Sequence, residues 1–195
     1  MTPETRTYTF TLLIEGPDLQ DGDHLHALFE AGCDDATFGS RDSLQFADFD
    51  REASSLAEAL RSAIRDIKSA VPEAHVVRVE PEEFVSLKAI ADRVGFSKQY
   101  VQMLADGERG PGSFPSVVRW VDSKTRVWRW SDVADWVETR LGRPIAHAGD
   151  AHMVAVFNGL LEATHHVLRV EDGSAREELT EFIREDEEIR VLLDA

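Results

Sequence analysis

Residues 87–106 read Leu-Lys-Ala-Ile-Ala-Asp-Arg-Val-Gly-Phe-Ser-Lys-Gln-Tyr-Val-Gln-Met-Leu-Ala-Asp, two short apolar-periodic runs joined at one glycine. No other stretch restricts the folding of this chain so tightly. Ser86 is placed to cap the first run as a helix, and Ile90 and Val94 give that helix an apolar stripe. Ala91 falls where a second helix must cross closely, so a larger side chain there would push the two apart. Gly95 supplies the positive φ of a tight corner, Phe96 plugs the core beneath it, and Ser97 caps a second helix whose Val101 and Leu104 face inward. This leaves Ser97, Lys98, Gln99, Tyr100, Gln102 and Met103 around the exposed start and outer face of that helix. Such a surface suits a recognition helix in the major groove, where Gln can read adenine and Lys can reach guanine or phosphate.

The continuation carries the same theme. After a glycine-rich turn at 107–112 come Ser113-Phe114-Pro115 and two β-like runs, 117–121 and 126–130, joined by a polar tip at 122–125. They read as a wing. Ser131 is expected to cap a closing helix that packs Val133, Ala134, Trp136, Val137 and Leu141 back on the module. Trp128 and Trp130 are expected on one face of their strand and Trp120 on the same face as Val118, all in the small core rather than stacking on bases.

On Leu87-x-x-Ile90-Ala91 through Gly95-Phe96-Ser97, Gly110-x-Gly112-x-Phe114-Pro115 and Trp128-x-Trp130-Ser131-Asp132-Val133-x-x-Trp136, the segment 84–143 resembles the excisionase-like winged helix-turn-helix domains, related to the MerR group and to AlpA-type phage regulators. The resemblance covers about a third of the chain. It implies that the second helix enters the major groove through Lys98, Gln99, Tyr100 and Gln102, while Lys124 and Arg126 of the wing touch backbone or minor groove. Arg109, in the loop, and Arg129, on the strand, are further candidates for phosphate contacts. The flanking parts lie outside the family pattern, so effector, partner and target do not carry over.

Ahead of this module, 7–14 alternates and then becomes wholly apolar, as a strand does, and Gly16-Pro17 stops it. A short helix over 21–31 has Leu25, Leu28 and Phe29 on one face, with Gly32 as its cap. A hairpin follows from 36–40 and 44–50, with Phe38, Phe46 and Leu44 facing the same way. Ser54 or Ser55 caps an amphipathic helix to Ala70 through Leu56, Leu60, Ala63, Ile64 and Ile67, and 74–79 is a fourth strand. The order strand, helix, strand, strand, helix, strand predicts a ferredoxin-like (βαββαβ) domain over 1–80, and an α+β chain overall. The acids Asp34, Asp35, Asp48, Asp50 and Glu52 read as strand ends and loops of an acidic domain, and Glu80, Glu82 and Glu83 as a solvated linker around Pro81.

Behind the module, 147–195 is expected to form a helical hairpin. Its first helix, 150–168, turns Val154, Phe157, Leu160 and Leu161 inward. Ser174 with Glu177 has capping-box spacing and opens a second helix carrying Leu179, Phe182, Ile183, Ile189, Leu192 and Leu193. His147, His152, His165 and His166 lack the four-residue spacing of a helical zinc pair, so no metal site is expected. The acidic run 185–188 reads as a solvated face, or alternatively as an internal DNA mimic folded over the basic surface.

Charge sorts with this organisation. The chain carries a net −16, divided as −11 over 1–83, +3 over 84–145 and −8 over 146–195, so the basic excess falls where the DNA-binding pattern lies. With no apolar run approaching the roughly 18 residues of a membrane span and no secretory leader, a cytoplasmic protein is expected. The single cysteine, Cys33, starts no CxxC motif and reads as a small buried residue. No GxSxG, HExxH or GxxxxGK[ST] signature is present, and neither enzyme activity nor a cofactor is expected. The leading expectation is a transcriptional or excision-type regulator of double-stranded DNA acting as a homodimer, because one such module rarely buries enough surface for tight specific binding. The alternative is an adaptor or antitoxin-like module whose acidic N- or C-terminal regions engage a basic protein partner. A ligand-sensing role for the ferredoxin-like domain rests on fold analogy alone.

Overall fold

The computed structural model describes residues 5–81, 83–120, 125–145 and 148–185, a mixed α+β chain with two antiparallel sheets. It divides into two compact units, Met1–Asn158 and Gly159–Ala195.

The first unit opens with β1 (Arg6–Glu15), α1 (Gly22–Glu30), β2 (Ala36–Arg41), β3 (Leu44–Ala53), α2 (Leu56–Ala70) and β4 (His75–Glu80), whose strands form one sheet in the order β2-β3-β1-β4. All three pairings are antiparallel. Period-two alternation sends Tyr8, Phe10, Leu12 and Ile14 of β1 to one face together with Ala47 and Phe49 of β3, and the rings of Phe10 and Phe49 stack at 5.3 Å. On α2 the stripe Leu56, Ala59, Leu60, Ala63 and Ile67 is buried, and the Ser55 hydroxyl accepts the Glu58 N–H as an N-cap.

Two expectations about this sheet fail. Phe38 and Phe46 do not share a face: Phe38 pairs with Ala47, on the core side, whereas Phe46 pairs with Gly39 and with Leu13 on the opposite side. Side-chain parity fixes this, because Leu44 and Phe46 are even-numbered neighbours of the odd-numbered core residues Ala47 and Phe49. Phe46 instead lies over Gly39, where a Cβ would come within 2.4 Å of its ring. On α1 only Leu28 is buried; Leu25 and Phe29, expected to join it, are 40% and 65% exposed. The apolar stripe of that helix is wider than the surface the sheet offers it.

Arg51 lies on the buried face of β3 among apolar residues, 6% exposed. Its guanidinium donates from Nε and Nη2 to both oxygens of Asp35, at 2.8 and 2.9 Å, from Nη1 to Asp66 at 2.8 Å and to Ser62, and from Nη2 to the Gly32 carbonyl. Burial opposes the charge, but the hydrogen bonds to Asp35 and Asp66 outweigh it and raise the guanidinium above its ordinary range. Asp35 is thus a structural partner that ties the α1–β2 turn to α2. Cys33 is buried beside this network, and burial pushes its thiol up to about 11 against the opposing pull of Arg51.

The chain then builds β5 (Phe84–Val85), α3 (Leu87–Val94), α4 (Lys98–Ala105), β6 (Arg119–Trp120), β7 (Arg126–Arg129), α5 (Trp130–Leu141) and α6 (Ala148–Leu168), with a second sheet in the order β5-β7-β6. The unit boundary falls inside α6, after Asn158. Asn158 is 6% exposed, and its side-chain amide accepts the Val79 N–H at 2.7 Å and donates to the Val79 carbonyl at 3.1 Å. One side chain thereby satisfies both outward backbone groups of a residue in the edge strand β4.

In the second unit, α7 (Gly173–Glu185) starts two residues earlier than a cap at Ser174 would set it, with Asp172 accepting the N–H groups of Ser174 and Ala175. Leu160, expected inward, is exposed, and so are Leu179 and Phe182 of α7. Ile189, Leu192, Leu193 and the acidic positions 186–188 lie outside the described residues, as does His147. No helix among the described residues is long and apolar enough to cross a membrane.

Candidate nucleic-acid interface

The α3–α4 pair forms as its sequence dictates. The Ser86 hydroxyl accepts the Ala89 N–H, Gly95 ends α3 at φ +69°, and the Ser97 hydroxyl accepts the Tyr100 N–H at the start of α4. A left-handed corner of this kind strains any residue carrying a Cβ. Beneath the corner, Ile90, Ala91, Val101 and Leu104 pack with Trp128, Val133 and Trp136 in a single core. Phe114 sits edge-on between Trp128 and Trp136, and the two indole N–H groups donate to the carbonyls of Pro115 and Gly112. The loop after α4 is therefore pinned by groups that have no other buried partner to find.

What remains outside that core is the face named from the sequence. Ser97, Lys98, Gln99 and Gln102 are exposed and Tyr100 is half-buried, its ring edge-on to Phe96 at 5.1 Å. Gln99 and Gln102, three residues apart, project from the same side of α4. The unsatisfied N–H groups of the first turn and the positive end of the helix dipole add a preference for anions at this end. Arg109 is exposed in the loop beyond α4, where its backbone N–H donates to the Met103 carbonyl.

The other cations differ from expectation. Arg126 donates to Asp106 at 2.6 Å and lies over the Trp128 ring, with its side chain 19% exposed; it fastens β7 to the C-terminal end of α4. Arg129 is ion-paired with Glu83 and lies over Phe84. Glu83 itself, expected in a solvated linker, is 7% exposed, and its carbonyl accepts the Trp130 N–H. The reason is β5, a two-residue strand that pairs Phe84 with Arg129 and Val85 with Trp128 and draws the preceding glutamate into the module. Lys124 and the wing tip, like Glu82, lie outside the described residues, and so does the side chain of Trp120.

The wing strands are shorter than predicted, Arg119–Trp120 against Arg126–Arg129, although the Val118 N–H still reaches the Val127 carbonyl at 2.9 Å. Trp130 is the first residue of α5 rather than the last of a strand; it is half-buried, packs against the core that holds Trp128, and lies under the guanidinium of Arg93 at 4.9 Å. Ser131 falls inside the first turn and is buried, and Arg129 occupies the N-cap position without a side-chain cap bond.

Two cations escaped the sequence reading. Arg143, exposed after the left-handed Gly142, lies over the Phe96 ring at 4.7 Å, beside the start of α4. Arg119, exposed on β6, lies over Phe84 at 5.1 Å. A signal for Arg143 existed in Gly142-Arg143-Pro144, since a glycine cap followed by proline turns the chain sharply back on the module. His152 bonds Asp135 at 2.9 Å, and among the described residues no group of three His, Cys, Asp or Glu side chains is placed to hold a metal ion. Compared with known proteins, the chain matches no family model, no curated protein and no solved structure.

Proposed function

We propose that the chain is a regulator that binds double-stranded DNA through α4, of transcriptional or excision type. The observation that carries this reading is the exposed face of Lys98, Gln99 and Gln102 on a helix whose opposite side is locked into an aromatic core. Such a helix is polar on its outer side, and the acid at its C-terminal end, Asp106, is paired with Arg126. Helix pair, corner, three-stranded sheet and α5 support a winged helix-turn-helix over 84–143, of the excisionase-like and MerR-related kind. For 1–80, the order β2-β3-β1-β4 supports a ferredoxin-like arrangement. For 147–195 the reading is a helical hairpin, of which α6 and α7 are the described helices. Contacts to DNA come from Ser97, Lys98, Gln99, Tyr100 and Gln102, joined by Arg109, Lys124, Arg119 and Arg143 on phosphate, in a cytoplasmic homodimer. Arg126 and Arg129 serve chiefly to brace the wing.

Selection of bound sequences from random duplex DNA, followed by anisotropy titrations across a salt series, tests the reading. The expected result is an enriched motif and a linear fall of log affinity with log salt concentration. Lys98→Glu and Gln99→Ala/Gln102→Ala variants that bind the selected duplex as the parent does would refute it.

A second reading, an adaptor or antitoxin-like module, draws support from the −11 charge of 1–83 and from the exposed acids Asp48 and Asp50, which accept from Thr11 and Thr9 on the open face of the first sheet. Capture of one stoichiometric basic protein, with no DNA binding at low salt, would favour it.

A further inference from the structure

The two edges of the first sheet are treated differently. At β4 the backbone of Val79 is occupied by Asn158. At β2 the outward backbone groups have no such cover among the described residues, and the run Ala36–Ser40 contains no charge and no proline. Natural sheets blunt an open edge with such residues unless the edge has a partner.

The flank beside this edge is apolar. With Leu28 directed into the core, the 100° step of a helix puts Leu25 and Phe29 on one flank of α1 and Ala27 on the other. A right-handed β1–α1–β2 crossover turns the Leu25 and Phe29 flank toward β2 and away from α2. Phe38, half-buried, stands on the same helix-bearing side of the edge strand itself.

We infer that β2 pairs antiparallel with β2 of a second copy, extending the sheet across a two-fold axis. Charge selects this occupant. Asp34 and Asp35 precede the strand and Arg41 ends it, with Asp42 in the turn beyond, so an antiparallel copy brings each Arg41 to the other's paired acids. Asp34 and Arg41 are exposed and have no ion-pair partner among the described residues. Helices on the same side in both copies require an even register; centring on Phe38 sets that ring against its counterpart and Arg41 opposite Asp35, next to Asp34. Leu25 and Phe29 of the two α1 helices then cover the aromatic pair. The inference stands on α1 and β2 and does not depend on DNA binding by α4.

Sedimentation equilibrium of the full chain over a wide concentration range tests it. The parent is expected to be a dimer, and Phe29→Lys to raise the dimer dissociation constant by about tenfold or more, as loss of an apolar anchor does. Asp34→Arg and Arg41→Glu should each weaken the dimer by repulsion, and Asp34→Arg/Arg41→Glu together should restore it. These positions are exposed, so thermal unfolding of the variants should match the parent once corrected for dimer dissociation. A monomer at every concentration overturns the inference. So does a dimer indifferent to Phe29→Lys, or one that the combined charge exchange fails to restore. DNA binding by a monomer would leave the reading of α4 intact while removing this one.

Discussion

Replacing Asn158 by Ala removes both partners of the Val79 backbone at a site that is 6% exposed. An unsatisfied buried donor or acceptor costs about 1–3 kcal/mol, and some water can reach an edge strand, so the expected loss is about 2–4 kcal/mol. Equilibrium urea unfolding would read this as a fall in midpoint with little change in slope. Amide exchange at Val79 should accelerate more than exchange at Leu12 in the central strand, because local cover is lost before the sheet is. Asn158→Asp sharpens the test. A carboxylate can accept the Val79 N–H but cannot donate to the carbonyl, so only the protonated acid restores both bonds. The folded-state pKa of that new acid is then raised above its unfolded value. Its penalty should be smallest below about pH 4, where both states are protonated, and should grow as pH rises from there. A midpoint shift within the roughly 0.5 kcal/mol of an ordinary surface substitution, or a flat pH response in the Asp variant, would refute the assignment of Asn158 as the cover of β4.

Three further outcomes follow from geometry already described. Arg51→Lys keeps one charge but loses the two-pronged bond to Asp35; with the acids 27% and 15% exposed, the loss should be about 2–4 kcal/mol in urea unfolding, near the lower part of the range for broken buried pairs. Arg126→Ala should leave the salt slope of DNA binding unchanged, since its charge is already matched by Asp106, whereas Lys98→Ala should lower the slope by about one, as loss of one phosphate contact does. With its thiol at about 11, Cys33 should be about one part in a thousand thiolate at pH 8, so iodoacetamide labelling of the folded chain should be slow and should become rapid in denaturant.

The elements whose stabilising groups are local in sequence were legible. Ser86, Gly95 and Ser97 act within one turn of their own positions, and the structure uses each in the role its residue type suggests. Stripe residues of α2 were legible for the same reason. Arg51 was not, because an arginine in an alternating strand satisfies the pattern equally well on either face until register places it opposite the turn that holds Asp35. Asn158 is 79 positions from its partner, and nothing near it in the chain distinguishes it from a surface amide. The two-residue β5 falls below the length at which alternation can be detected, and missing it led to reading Glu83 as solvated. At the candidate interface the exposed face of α4 was readable from helical periodicity. The engagement of Arg126 and Arg129 by acids was not, since Asp106 and Glu83 lie 20 and 46 positions away.

Only three residues, 81–83, connect the last strand of the first sheet to the first strand of the second, and the third of them is buried. This seam is not a tether. A fragment begun at 84 would forfeit the carboxylate that holds Arg129 and the carbonyl that receives the Trp130 N–H, two fastenings at the junction of β7 and α5. The module is consequently poorly portable: a graft onto another scaffold must carry Glu83 with it, and excision at the apparent boundary should yield a loosened wing.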